Sequence, residues 1–319
     1  MSEMKPLVSV VVRCFNRGDT VGRALESILN QTYSRLEIIL IDDGSTDNSR
    51  SVAERFSGVD YYYQENKGLA GAREAGLCRA KGKYVSFLDA DDFWSADFVT
   101  ESVAALEQLD CDFVFSNWST DGPGKSHQEQ LELDRVSYLA DFQSNTAAGW
   151  CLLSSGETRA LFMRHQCGVP SATMFRREHL SLGWNLQAIS ADDWIMIIGL
   201  ILEHGGACAF HRKKRWTRWI DGKNICEGTS DMGRRARNEI HDMQFILTHF
   251  SARLRQEEIK GFELLIGQSA FDLAHISSHE GKLLLALKYY GIAARTKSLV
   301  TIAMAVAKCP VLWLRSYFR

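Results

Sequence analysis

No two of the eight cysteines in this chain stand in C-x-x-C spacing. They are scattered at positions 14, 78, 111, 151, 167, 208, 226 and 309, which excludes a zinc ribbon and a dense disulfide scaffold. Free thiols in a reducing cytoplasm fit that pattern. Long apolar runs are missing too. The longest, Leu299 to Ala307, is cut by Lys308 before it can span a bilayer. The opening MSEMKPLVSVVV has no extended apolar stretch with a cleavage site, so no signal peptide is expected. No G-x-G-x-x-G follows the first apolar run, which argues against a dinucleotide-dependent dehydrogenase. Internal repeats and low-complexity segments are absent. With 37 basic against 39 acidic residues, the net charge of −2 points to no nucleic-acid partner. Acidic residues stop at Glu280. Residues 281–319 hold seven basic and no acidic side chains, which leaves −9 for residues 1–280.

What is present is an alternation of apolar strands and amphipathic helices. At 319 residues the chain can bury one large core or two modest ones. LVSVVVRCFN is a β-branched run that stops at the turn cluster Asn16-Arg17-Gly18-Asp19. DTVGRALESILNQTY places Val21, Leu25, Ile28 and Leu29 on one helical face, with Asp19 or Thr20 placed to cap it. LEIILIDDGSTDNS repeats the plan and leads into a helix over 47–56. VDYYYQEN is a third strand, GLAGAREAGLCRA a helix, KYVSFLDADD a strand, SADFVTESVAALEQL a helix and CDFVFSNWS a strand. This pattern predicts an α/β fold with a mostly parallel sheet covered on both faces. The period weakens from about 117 to 165, where DGPGKSHQEQ reads as a loop. CGVPSATMFRREHL resumes it, ISADDWIMIIGLILEHGG is an apolar helix opened by Asp192 and Asp193, and 232–295 reads as helical.

In such sheets ligands bind beyond the carboxyl ends of the strands. Asn16, the pair Asp42-Asp43 and the run Asp89 to Asp92 all fall there. Alternate residues of an extended segment share a face, so Asp89 and Asp91 are expected together, with Asp92 pointing away. Two carboxylates facing one side, with no histidine or cysteine beside them, suit Mg²⁺ or Mn²⁺ and not zinc. A D-x-D triplet alone is equally at home in a cap or a turn.

The ordered set VSVVVRCFNRGDTVGRALESILNQTYSRLEIILIDDGSTDNS, NKGLAGAREAG and KGKYVSFLDADDFW resembles family 2 of the glycosyltransferases, the inverting group with a GT-A fold. It does so over residues 7–116. That resemblance implies a hexosyltransferase-type enzyme acting on a nucleotide-diphospho-sugar, UDP-linked, with Mn²⁺ or Mg²⁺ as cofactor. It puts Asp43 on the nucleobase edge with Asp42 beside it, Arg73 near the diphosphate, and Asp89 and Asp91 on ribose and metal. Arg13-Cys14-Phe15-Asn16 stands where a small or hydroxyl residue and a tyrosine are usual, and Arg13 joins the nucleotide-sugar set. The inverting reaction needs a general base, which the family carries in an acidic pair opening a helix. Here that pair is in ADDWIMIIGL, with Asp193 the base and Asp192 in place of the usual glutamate; Ile195 replaces a frequent acid. HRKKRWTRW holds Arg218, which the resemblance brings within reach of the diphosphate, with a tryptophan to stack on a sugar; a solvated basic loop is the plain alternative. His211 is left out of the metal site.

The resemblance implies a GT-A domain over 1–230, with a donor-binding half at 7–116 and an acceptor half at 117–230. A helical C-terminal region with the basic tail would follow over 231–319. It also implies a glycan or lipid-linked acceptor of the kind used in bacterial surface glycan synthesis. A non-catalytic GT-A domain kept for nucleotide-sugar binding or assembly is the alternative. SLVTIAMAVAKCPVLWLRSYF interleaves apolar residues with Lys308, Arg315 and Arg319, which suits the surface of an anionic membrane and equally suits docking on the acidic body. Pro310 breaks any helix there. The chain is expected in the cytoplasm, peripheral at the inner face of the cell membrane if the tail is an anchor.

Overall fold

The computed structural model describes residues 4–123, 143–166, 169–222, 232–298 and 302. Most of the expected loop DGPGKSHQEQ, and the tail with Lys308, Pro310, Arg315 and Arg319, lie outside them. Two compact units are present: Met1–Leu186 with Asp192–Ile225, and Gln187–Ala191 with Cys226–Arg319.

The first unit begins with β1 (Val8–Cys14), whose alternate residues are buried on both faces, as a central parallel strand requires. It continues through α1 (Val21–Leu29), β2 (Leu36–Asp42), α2 (Ser49–Ala53), β3 (Val59–Tyr63), α3 (Gly68–Leu77) and β4 (Tyr84–Asp89). Thr20 takes the N-cap position of α1 without a side-chain cap. β2 pairs β1 on one side and β3 on the other, and β4 then returns to the open side of β1, all in parallel. The carboxyl end of β1 is therefore a topological switch point, where the strands on either side lead to different helices and a crevice opens. Close packing of α3 on β1 depends on Gly76, where an added Cβ would lie 2.1 Å from Val11 Cγ1.

Next come β5 (Phe93–Trp94), α4 (Phe98–Gln108), β6 (Phe113–Asp121), β7 (Trp150–Leu153), α5 (Ser155–Phe162), β8 (Thr173–Arg176), α6 (Asp192–His204) and β9 (Cys208–Trp219). The sheet runs β3-β2-β1-β4-β8-β6-β9-β5, with β7 also paired to β9. The expected parallel arrangement holds across β3-β2-β1-β4. Beyond it β8 inserts antiparallel between β4 and β6, and β5 and β7 both meet β9 antiparallel. The basic and aromatic segment is β9 and not a loop. Its exposed Arg212, Lys213 and Lys214 are followed by buried Arg215 and Trp216. Register shifts against β6 on either side of Asn117 accompany the change.

The second unit holds α7 (Met232–His249), α8 (Gln256–His279) and α9 (Leu283–Ala293). The expected helical stretch 232–295 is thus three helices. Phe262, Ala270, Leu273, Ala274 and Tyr290 are buried in it, and Asp242 accepts hydrogen bonds from the backbone N–H groups of Ile189, Ser190 and Ala191. No helix among the described residues is long and apolar enough to cross a membrane.

Candidate active site

The loops after β1 and β2 are stitched into one rim. Asn16, in the left-handed region at φ 50°, donates its N–H to Ser45 Oγ and accepts from Thr46 N through its side-chain oxygen. Arg17 N donates to Ser49 Oγ, and Gly18 N to Asp47 Oδ2. A Cβ on Gly18 would fall 1.9 Å from Asn48 Oδ1, so a larger residue would push the Asn48 side chain aside. At the end of β2, Asp42 is buried with both oxygens in use: Oδ1 accepts from Ser45 N at 2.8 Å and Oδ2 from the Tyr61 hydroxyl at 2.6 Å. Asp43 takes its two donors on one oxygen, Gln64 Nε2 at 2.7 Å and Lys67 N at 2.8 Å on Oδ1.

Across β1, the end of β4 is built differently. Asp89 closes the strand opposite Arg13, and Asp92 N donates to Asp89 O at 2.9 Å, so residues 89–92 form a tight turn. The turn corrects the expectation for Asp92. Alternation stops at Asp89, and one oxygen from each of Asp89, Asp91 and Asp92 lies within 4.8 Å of the others. Arg13 Nε reaches Asp89 Oδ1 at 3.2 Å, and Arg73 Nη2 reaches both Asp89 oxygens at 3.0 and 3.1 Å. Arg17 Nη2 pairs with Asp91 Oδ2 at 2.9 Å. Asp92 Oδ1 accepts from Trp219 N at 3.3 Å.

These environments split the three carboxyl groups. Burial works against the charged form of Asp89, but the Arg73 and Arg13 guanidiniums outweigh it and hold that carboxyl below its ordinary range. Burial and the neighbouring Asp89 charge push Asp91 up despite Arg17 and Arg13. Burial, with Asp91 and Asp89 beside it, pushes Asp92 well above the ordinary value. Close carboxylates that repel one another, two buried and Asp89 half-buried, with oxygen as the one ligand type in the cluster, fit a hard divalent cation of the Mg²⁺ or Mn²⁺ kind.

Arg73 ties this turn to α6. Placed by α3 and almost fully buried, it donates through Nη1 to Asp192 Oδ2 at 2.7 Å while Nη2 holds Asp89. Its guanidinium carbon lies 5.0 Å from the centre of the Trp184 ring. Asp192 and Asp193 stand in the first turn of α6 and not at the cap before it. The Trp194 indole fixes that turn by donating to Phe162 O at 2.6 Å. Asp193 Oδ1 accepts from Gln166 Nε2 at 2.8 Å and Trp194 N at 2.7 Å. Burial, then the Asp192 charge, push the Asp193 carboxyl up to about 7, against the pull of Arg73.

The structure thus brings Arg13, Arg73, Asp89 and Asp91 into one network that reaches Asp192, the neighbour of Asp193. Asp42 and Asp43 lie one strand away, beyond β1. Arg218 sits on β9 opposite Thr120, next to the Trp219 that meets Asp92. Three participants are absent from the expected set. Arg17 lay in a turn signal that says nothing of its side chain, Gln166 in a stretch without period, and Arg23 in a helix. Arg23 has its guanidinium carbon 4.5 Å from the Phe93 ring centre and 3.7 Å from that of Trp219.

The model of glycosyl transferase family 2 matches residues 9–182, more than half of the chain. The Escherichia coli UDP-Glc:alpha-D-GlcNAc-diphosphoundecaprenol beta-1,3-glucosyltransferase WfaP is 36% identical over 115 residues, covering 35% of this chain and 46% of WfaP. The curated relatives compared are each matched over less than half of their own length. Among solved structures, S. aureus TarS 1–349 in complex with UDP-GlcNAc superposes with a TM-score of 0.58 at 14% identity, covering 95% of this chain and 91% of that one. The mannosyltransferase PcManGT from Pyrobaculum calidifontis, in complex with GDP-Man and Mn²⁺, gives 0.52 at 19% identity, covering 98% and 81%. Both are GT-A folds, and the fold here is the same.

Proposed function

The chain belongs to glycosyl transferase family 2, and from that premise we propose that it moves a sugar from a UDP-linked donor to an acceptor hydroxyl with inversion. The observation that carries the reading is the Arg73 bridge. One buried guanidinium links the strand-end carboxylate Asp89 to the acidic pair opening α6, so donor side and base side form one network.

In this reading Asp43 Oδ2 accepts from a nucleobase N–H, since its Oδ1 already has two donors. Arg13 and Arg218 face phosphate oxygens, for which a guanidinium is suited, and Arg73, held by Asp89 and Asp192, adds its positive charge behind them. Asp91 and Asp89 hold Mn²⁺ or Mg²⁺, which when bound neutralises charge on the departing diphosphate. Asp193 takes the acceptor hydroxyl proton on Oδ2, because Gln166 and Trp194 occupy Oδ1. The acceptor oxygen then forms its bond to the anomeric carbon as the bond from that carbon to the diphosphate breaks. A carboxyl poised near 7 is matched to that proton transfer. Asp192 is held by Arg73 and keeps the second charge of the pair in place.

A lipid-diphosphate-linked acceptor is proposed on the name of WfaP, and surface glycan synthesis with it. That acceptor would bring the chain to the inner face of the membrane, where the basic, acid-free residues 281–319 meet anionic lipid. Incubation of the full chain with Mn²⁺ and a panel of nucleotide-sugars tests the central reading. UDP release from one UDP-sugar, stimulated by an acceptor, is the expected result, and release from no nucleotide-sugar would refute it.

A further inference from the structure

Resting on the proposal that the β4 end takes a divalent cation, we propose that Arg17 is a displaceable counter-ion of that site, released from Asp91 by the cation and taken up by the donor diphosphate. This would make cation and nucleotide binding cooperative.

The three guanidiniums around the cluster differ in how they are held. Arg13 projects from a central strand. Arg73 is anchored at its far end by Asp192. Both pair with Asp89, and neither stands on Asp91 among the ion pairs described. Arg17 does, with Nη2 at 2.9 Å from Asp91 Oδ2. Its Nη1 lies 3.7 Å from Asp221 Oδ2. The backbone of Arg17 is fixed independently, with N on Ser49 Oγ at 2.9 Å and O accepting from Val21 N at 2.8 Å. The Cα position therefore does not depend on the Asp91 pair.

A metal ion on either Asp91 oxygen would stand close to the Arg17 guanidinium on Oδ2, and the two positive charges repel. Arg17 has to give way when a metal ion arrives. Without nucleotide it then loses a close, buried ion pair and keeps a longer one to Asp221. With nucleotide it gains phosphate oxygens, which a planar guanidinium binds through two parallel donors. Cation binding alone is thus held down by Arg17, and nucleotide removes that penalty. By linkage the cation must favour nucleotide by the same factor.

Calorimetric titration of Mn²⁺ into the full chain, with and without saturating UDP, tests this on wild type and Arg17→Gln. Wild type is expected to bind Mn²⁺ weakly alone and more tightly with UDP. In Arg17→Gln, Mn²⁺ alone is expected to bind about tenfold tighter, and the gain from UDP to shrink by a similar factor, within the usual span of coupling between sites. Removing a positive charge beside the site favours Mn²⁺ by itself, so the shrunken gain from UDP is the readout that marks uptake of Arg17 by the diphosphate. Arg17→Lys, which keeps the charge without the fork, should lie between the two and serves if the glutamine variant does not fold. Unchanged or weaker Mn²⁺ binding in Arg17→Gln, with wild type still binding, overturns this role alone. Failure of wild type to bind Mn²⁺ even with UDP overturns the cation reading and this inference together.

Discussion

The ends of β2 and β4 flank β1, and each carries adjacent or near-adjacent aspartates, yet their surroundings differ. Asp42 has a backbone N–H on one oxygen and a tyrosine hydroxyl on the other. Its charge is met by short-range donors of the same rim. At the β4 end three carboxylates crowd within 4.8 Å, and the balancing charges come from β1, the β1–α1 loop and α3. Two of the three are pushed toward the protonated form even so. Acidic content is thus a poor guide to function. The donors around each carboxylate separate a rim whose aspartates are met by neutral donors from a cluster that could hold a cation.

That contrast predicts unequal tolerance to substitution. Arg73→Met should show the largest effect, because it leaves Asp192 buried without its ion pair and takes one of two guanidiniums from half-buried Asp89; breaking a buried pair costs ~3–5 kcal/mol. Urea unfolding reads it, and a loss below ~1 kcal/mol would mean that the bridge braces little. Asp193→Asn should preserve fold and UDP binding while lowering transfer at least ~10²-fold, the low end for a general base. Normal turnover would place the base elsewhere.

The pH behaviour sharpens the same point. A carboxyl raised from 3.8 to about 7 on folding favours the folded state while protonated, and that advantage fades as pH rises between those values. Stability of the ligand-free chain should therefore fall over this window, and Asp193→Asn should flatten part of the fall. Transfer by wild type should instead rise toward pH 7 as the base ionises. Smallest of all, Tyr61→Phe removes one donor from Asp42 and should cost about 1–2 kcal/mol with UDP affinity intact. A drop in UDP affinity would bring the β2 end closer to the β4 end in character.

Much of this rim was legible in the residues. Strands that run nearly all apolar and stop near Asn16, Asp42 and Asp89 announce a parallel sheet with polar groups at its carboxyl edge. The order of motifs carried the family. What local pattern does not encode is which side chains meet across the chain. Arg73 and Asp192 are 119 positions apart, and their bond depends on α3 and α6 lying on the same side of the sheet. Asp92 turned toward its neighbours because the chain bends at residue 90, where the two-residue period no longer applies. β9 escaped notice because three successive exposed basic residues interrupt its alternation at a register shift. Arg17 sat in a turn, and turn residues signal backbone shape only.

The central claim is that the β4 end, and not the β2 end, couples metal to nucleotide. Calorimetry of UDP with and without Mn²⁺, on wild type, Asp91→Asn and Asp42→Asn, tests it most directly. Asp91→Asn should lose the Mn²⁺-dependent part of UDP affinity, while Asp42→Asn keeps it and unfolds at lower urea. Retention of that dependence by Asp91→Asn, or its loss in Asp42→Asn alone, would contradict the account.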